Sequence, residues 1–207
     1  MTPERRPWRG IPADERQAER RRRLVEATLD VVEAKGLAGI TVRGVCASAG
    51  LTSRHFYESF RDTNHLLISV YEELAEEGIT SAAEGIHTTG DDLRSQVRAG
   101  VQAGITSMAN DVRRGRFLLV HATAHPELNR RRRQLIADGA DLFAKTAMEA
   151  YGISEEPPAL AAASRYAVGG VIELTTAYVE GDLTASISDL VELATDITLG
   201  AIGTIVK

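Results

Sequence analysis

Apolar residues recur along nearly the whole chain at intervals of three and four, the spacing of one helix face, and nowhere alternate as in a half-buried strand. Leu24, Thr28, Val31 and Val32 form one such stripe, predicting a helix from Ala13 to Lys35 that stops at Gly36. Thr41 is placed to cap a short helix over 42–49, with Val42, Val45 and Cys46 on one face, and Ala49-Gly50-Leu51 breaks it. Thr52 caps a third helix, to about Ser59. Further helices are expected over 65–86, 93–110, 116–122, 126–152, 159–179 and from Ser186 to about Ile205. Short polar connections separate them, and Ser186 with Asp189 forms a capping pair. The fold class is therefore all-α, with about nine helices and no internal repeat.

Composition sharpens this picture in two places. Aromatic residues make up only 5% of the chain against 43% hydrophobic overall, so the core is built from Ala, Leu, Val and Ile, which suits closely packed helices. The net charge of −5 makes no general case for nucleic acid, but the charge is unevenly spread. Residues 1–70 carry 12 Lys and Arg against 9 Asp and Glu, while residues 71–207 carry 12 against 20. A basic head on an acidic body suits a protein with one DNA-facing end. One cysteine, Cys46, rules out an intrachain disulfide, and a small buried hydrophobe is the expected role for it. No apolar run approaches a membrane span and the N-terminus does not read as a secretory signal, so a cytoplasmic location is expected.

Three segments follow. Residues 1–12, with three prolines and Arg5, Arg6 and Arg9, read as a flexible basic arm that either frays or touches DNA. Residues 13–62 form a three-helix domain, and 63–207 a larger helical one. The chemistry concentrates in residues 40–60, ITVRGVCASAGLTSRHFYESF. Two short helices joined by a glycine turn, the second with Phe56 and Phe60 inward and Ser53, Arg54, His55 and Tyr57 outward, have the pattern of a helix-turn-helix. The four adjacent arginines 20–23 sweep around their helix and read as a solvated run.

This stretch resembles the DNA-binding domain of TetR-type (tetracycline-repressor-like) regulators. The resemblance lies in Thr41-Val42-Arg43, Val45-Cys46, Ala49-Gly50-Leu51-Thr52, Phe56-Tyr57, Phe60, Asp62 and Leu66-Leu67, and is specific over residues 13–71. It implies phosphate contacts from Thr41, Arg43, Thr52, Tyr57 and Thr63, and base readout by Ser53, Arg54 and His55. Two positions depart from the family pattern: Thr63 stands where a lysine is usual, and Ser59 where His or Tyr often precedes the last Phe. The resemblance further implies a homodimer on palindromic operator DNA, pairing through helices near 159–180 and 186–205, with a small effector releasing a repressor.

Residues 159–179 carry Ala161, Ala162, Ala163, Ala167, Gly169 and Gly170, which permit close helix approach, and Leu190, Leu193, Ile197 and Ala201 make one stripe of the last helix. Gly100 and Gly104, one turn apart, either admit a neighbouring helix or leave a void. An apolar effector pocket is expected around Gln102, Ile105, Met108, Phe117, His121, Phe143, Thr175 and Tyr178, suited to a hydrophobic or amphipathic metabolite. His121 and His125 have metal-like spacing but no acidic or thiol partner nearby, so no metal and no cofactor are expected. Glu72, Glu73, Glu76 and Glu77 read as a solvated face, and no nucleophile elbow or phosphate loop is present. A DNA-binding regulator without an effector remains the alternative, and a helical enzyme a remote one.

Overall fold

The computed structural model describes residues 13–90, 92–203 and 205. The basic arm at 1–12 lies outside them. Nine α-helices and no strand occur among the described residues: α1 Ala13–Lys35, α2 Val42–Ala49, α3 Ser53–Tyr57, α4 Thr63–Thr88, α5 Leu93–Ala109, α6 Val112–Gly115, α7 Pro126–Tyr151, α8 Pro158–Glu180 and α9 Ile187–Gly203. The chain divides into two compact units, one ending at Leu66 and the other beginning at Leu67, so the seam falls inside α4.

The first unit packs α1 against α2 and α3. Its buried residues include Leu24, Leu29, Val32, Val45, Cys46, Phe56 and Phe60. Thr28 sits fully buried on the same stripe because its Oγ1 donates to the Leu24 carbonyl at 2.7 Å, satisfying the hydroxyl within its own helix. Cys46 is buried, and burial pushes its thiol pKa up, away from the reactive thiolate.

The run Arg20 to Arg23 is not merely a solvated face. Arg20 Nη2 meets Glu58 Oε2 at 3.0 Å, Arg22 pairs with Glu19, and Arg21 lies over the Phe60 ring at 5.4 Å. Arg23 Nη2 donates to the Ala49 carbonyl at 2.5 Å, covering the end of α2. Four consecutive residues point in four directions on a helix, and here each direction supplies a different partner.

In the second unit α5 packs on α8 and α9, α7 on α8, and α8 on α9. One apolar cluster gathers Val97, Phe143, Ala147, Leu160 and Ile202, and another Ile105, Leu190, Val191 and Ala194. The helix expected over 116–122 is instead a relay: α6, a wide π turn at Arg116–Val120, and a 3₁₀ turn at His121–Ala124. The sequence pattern there is too short to carry a helical period, and Phe117, Leu118 and Leu119 are all buried by the change of winding. The stripe expected on α9 also splits. Leu190 enters the core and Ala201 is half-buried, while Leu193 and Ile197 are 50% and 46% exposed.

Candidate functional site: the helix-turn-helix face and an apolar cavity

Local chemistry sets the α2–α3 turn. Thr41 caps α2, its Oγ1 accepting from the Gly44 N–H at 3.0 Å. Gly50 ends the helix at φ 63°, ψ 38°, a left-handed conformation that costs a residue with Cβ roughly 1–2 kcal/mol. The chain then turns directly into α3, which buries Phe56 completely. The Phe56 ring meets Tyr57 edge-on at 5.4 Å and tilts against Phe60 at 5.7 Å. These contacts anchor a helix of only five residues, too short to be stable by itself.

The outer face presents the expected residues unevenly. Thr41, Arg43, Thr52 and Ser53 are exposed. The Arg54 side chain is 88% exposed, and Tyr57 is also open. His55 is half-buried and turned back: its Nδ1 lies 3.5 Å from the Thr52 N–H and 3.2 Å from Thr52 Oγ1. One ring nitrogen therefore serves the start of α3, leaving Nε2 for any outside contact. Thr63 is half-buried as the first residue of α4, whose cap is Asp62, with Oδ1 accepting from the His65 N–H at 2.7 Å.

Glu58 escaped the sequence reading. Its Oε1 lies 3.5 Å from Arg54 Nε, its Oε2 accepts from Arg20, and its carbonyl accepts from Gln17 Nε2 at 3.4 Å. Glu58 thus ties the end of α3 to α1 and holds an exposed cation of the face. The four-residue spacing from Arg54 to Glu58 was a visible ion-pair signal.

Within the second unit an apolar cavity of about 120 Å³ opens between α4, α5, α7 and α8. Leu74, Ile79, Val101, Leu135 and Val168 line it, with Ser107, Thr146 and Thr198 the polar side chains among its described lining residues. Ser107 and Thr146 already donate to the Gly104 and Leu142 carbonyls. Among the described residues no charged one lines the cavity.

Both readings of the paired glycines hold. A Cβ at Gly100 would stand 3.1 Å from Ile86, so this glycine admits α4, whereas a Cβ at Gly104 would meet nothing within 4 Å and face the void. Gly78 on α4 and Gly139 on α7 also line it, but a Cβ there would stand 3.3 Å from Ser107 Oγ and 3.1 Å from Val168, so these glycines, like Gly100, allow close approach.

Of the eight pocket residues expected from sequence, the cavity gathers Met108 and Phe143. The other six stand elsewhere. Gln102 is exposed and accepts from Arg98 Nη1, and Ile105 belongs to the Leu190 cluster. Phe117 packs on Tyr71 with ring centroids 6.4 Å apart, and Tyr178 packs on the Ile105 cluster. Thr175 is buried but satisfied by the Val171 carbonyl, and His121 begins the 3₁₀ turn. The physical reason is register: a period of 3.6 shows that a residue is buried without showing which of two packed neighbours it faces. His125 is not paired with His121; its Nδ1 accepts from the Leu128 N–H at 3.4 Å and caps α7. Among the described residues no cluster of three or more metal-ligating side chains occurs, and no helix is long and apolar enough to cross a membrane.

No protein-family model and no curated protein matches the sequence. Solved structures do. The fatty acid degradation regulator FadR from Bacillus halodurans superposes with a TM-score of 0.75 at 18% identity, over 87% of this chain and 94% of its own. FadR from Bacillus subtilis, in complex with stearoyl-CoA, gives 0.72 at 18% identity, over 89% and 98%. A TetR family transcription regulator from Marinobacter aquaeolei gives 0.69 at 19% identity, over 91% and 97%. At this identity the likeness is one of fold: the chain has the all-α fold of TetR-family transcription regulators.

Proposed function

We propose that this chain, built on the TetR fold, is a sequence-specific DNA-binding regulator that acts as a homodimer and is released from its operator by a small apolar effector. The observation that carries it is the outer face of α3. Ser53, Arg54 and Tyr57 stand exposed on a helix whose other side is locked by Phe56. In the major groove, Arg54 would read a base edge, with Ser53 and the free side of His55 beside it. Thr41, Arg43, Thr52, Tyr57 and Thr63 would hold phosphates and set the register. Glu58 must release Arg54 for that contact to form.

The dimer reading rests on α8 and α9. Leu193 and Ile197 on α9 and Tyr166 on α8 are large apolar side chains left open, and Gly169, Gly170 and Gly200 leave space for a second backbone to approach. A single helix-turn-helix per chain needs a twofold partner to engage half-sites about 34–36 Å apart. Gly170→Glu should give monomers that sediment as such and lose palindromic binding.

The effector reading rests on the cavity. A DNA-binding protein controlled only by its abundance has no use for an unfilled apolar space, so the cavity favours an effector over the alternative. The relative with stearoyl-CoA makes an acyl chain one apt occupant. Size limits this: a cavity of about 150 Å³ holds a benzene-sized guest, so the space here takes a short apolar segment unless the helices part. The effector would act by preferring the form that does not bind DNA, and tenfold release needs about 1.4 kcal/mol of that preference. Repression is the expected sign of control. Selection of bound sequences from random DNA tests the reading: an inverted repeat should be enriched, and failure to enrich any sequence would reject it.

A further inference from the structure

Among the described residues the cavity has no charged lining, yet one turn from it two side chains hold buried polar atoms without partners there. Tyr71 on α4 is 1% exposed and its hydroxyl has no hydrogen-bond partner. Arg132 on α7 is half-buried, and its Nε is buried and unpartnered. Neighbouring cations are otherwise engaged: Arg131 meets Glu72 at 3.0 Å, and Arg130 pairs with Glu127. An unmet buried donor is costly, roughly 1–3 kcal/mol, and such groups commonly await a water or a ligand.

Neither residue lines the cavity, but three segments bring the pair within one turn of its lining. On α4, Tyr71 precedes the lining residue Leu74 by one turn, and on α7, Arg132 precedes the lining residue Leu135 by one turn. Between them, Phe117 packs on the Tyr71 ring while the adjacent Leu118 lines the cavity. The Glu72–Arg131 bridge and the approach of Ile79 to Gly139 show that α4 and α7 run side by side in the same sense, so Tyr71 and Arg132 lie at matching heights. Burial pushes the Tyr71 phenol pKa well up, so it stays an O–H donor, while the Arg132 charge works in the opposite direction.

We infer that Tyr71 and Arg132 form an anchor for a single carboxylate, and that the effector is an amphipathic acid whose apolar body fills the cavity between α4, α5, α7 and α8. This rests on the cavity being the effector site. A guanidinium supplies the charge-assisted bonds and the phenol a further donor, the pairing a carboxylate oxygen seeks in a dry site. Glu72 and Glu127 are bound to Arg131, Glu77 to Arg114, and Asp138 accepts from Gln134, so these carboxylates are engaged elsewhere.

Calorimetric titration of the full chain with hexanoate, octanoate and dodecanoate, each against the alcohol of the same length, tests the anchor. The acids should bind more tightly than the alcohols. Arg132→Gln should weaken acid binding by about tenfold or more, the loss of one charge-assisted hydrogen bond, and leave the alcohols unchanged, which also shows that the variant is folded. Tyr71→Phe should weaken the acids less and leave the melting temperature unchanged or raised, since it removes an unmet donor. Equal binding of acids and alcohols, in the native chain and both variants, would overturn the anchor while leaving the cavity as a site. Binding of neither class would reject the cavity reading and the anchor with it. A Tyr71→Phe protein that melts markedly lower would mean the phenol already has a partner, and would also overturn the anchor.

Discussion

The two units of this chain solve opposite problems with the same helices. In the first, side chains around the turn are held by specific partners: Thr41 by Gly44, His55 by Thr52, Arg23 by Ala49, Glu58 by Arg20 and Arg54. A short recognition helix keeps its aim only if its frame is rigid. In the second, Gly104 faces a space that side chains do not fill, while Gly78 and Gly139 let the helices around it approach closely. Such a unit gives up packing to keep room for a guest, and its unmet polar groups sit within one turn of that room. In the proposed function, the rigid side is the face offered to DNA, and the incomplete side is the site offered to an effector.

The largest effect should come from breaking the rigid side. Phe56→Ala removes a fully buried ring and should cost about 3–5 kcal/mol of stability, read by urea denaturation. Loss of operator binding should accompany it, while the second unit keeps its helical signal. A cost below about 1 kcal/mol would mean that the ring does not anchor α3.

The incomplete side should respond in the reverse manner. Gly104→Leu fills open space, so it should leave thermal stability and operator affinity within experimental error and abolish release by any effector. Gly100→Leu, which drives into Ile86, should instead destabilise by about 1–3 kcal/mol, the usual cost of overpacking. If the two variants behave alike, the assignment of one glycine to packing and the other to the void is wrong.

A smaller effect concerns the Glu58 tie. Glu58→Gln frees Arg54 and should raise affinity for all DNA sequences by a few-fold while steepening the salt dependence, as a cation is released toward the phosphates. Unchanged affinity over a salt series would show that the tie does not restrain Arg54.

The smallest concerns pH. The Arg113 guanidinium beside Asp111 holds its carboxyl below the ordinary carboxylate range, helped by the Arg113 backbone N–H. A depressed pKa contributes stability that is present above the unfolded-state value and fades as pH falls through the folded one. Asp111→Asn should therefore lower stability slightly near neutrality, where the charged carboxylate contributes, and the native and variant stability curves should converge as pH falls below about 4, the ordinary carboxylate value.

The contrast between the units also explains what could be read from the sequence. The first unit was legible nearly to the residue because capping threonines, a turn glycine and two phenylalanines four apart are local signals, each with one structural meaning. The long helices of the second unit were legible too, through Asp92, Pro126, Gly152 and Gly181 at their ends. The cavity was not. Its walls are ordinary Leu, Val and Ile, and its shape depends on glycines on three different helices, which no single period reveals. Gly104 was visible as an opening, but Gln102, Ile105 and Thr175 face other partners on the same helices. The π turn at 116–120 was hidden for a related reason, since its five residues repeat no pattern long enough to distinguish one winding from another.

The central claim, that the open face of α3 reads DNA sequence, is most directly tested by selecting random DNA with the native chain and with Arg54→Ala in parallel. The native chain should enrich an inverted repeat with half-sites about one helical turn, 34–36 Å, apart. The variant should enrich the same repeat with preference lost at one base pair in each half, at a cost of about 1–3 kcal/mol in affinity. Identical base preference and affinity for the two proteins would contradict the claim, because a side chain standing open on the recognition helix would then play no part in recognition.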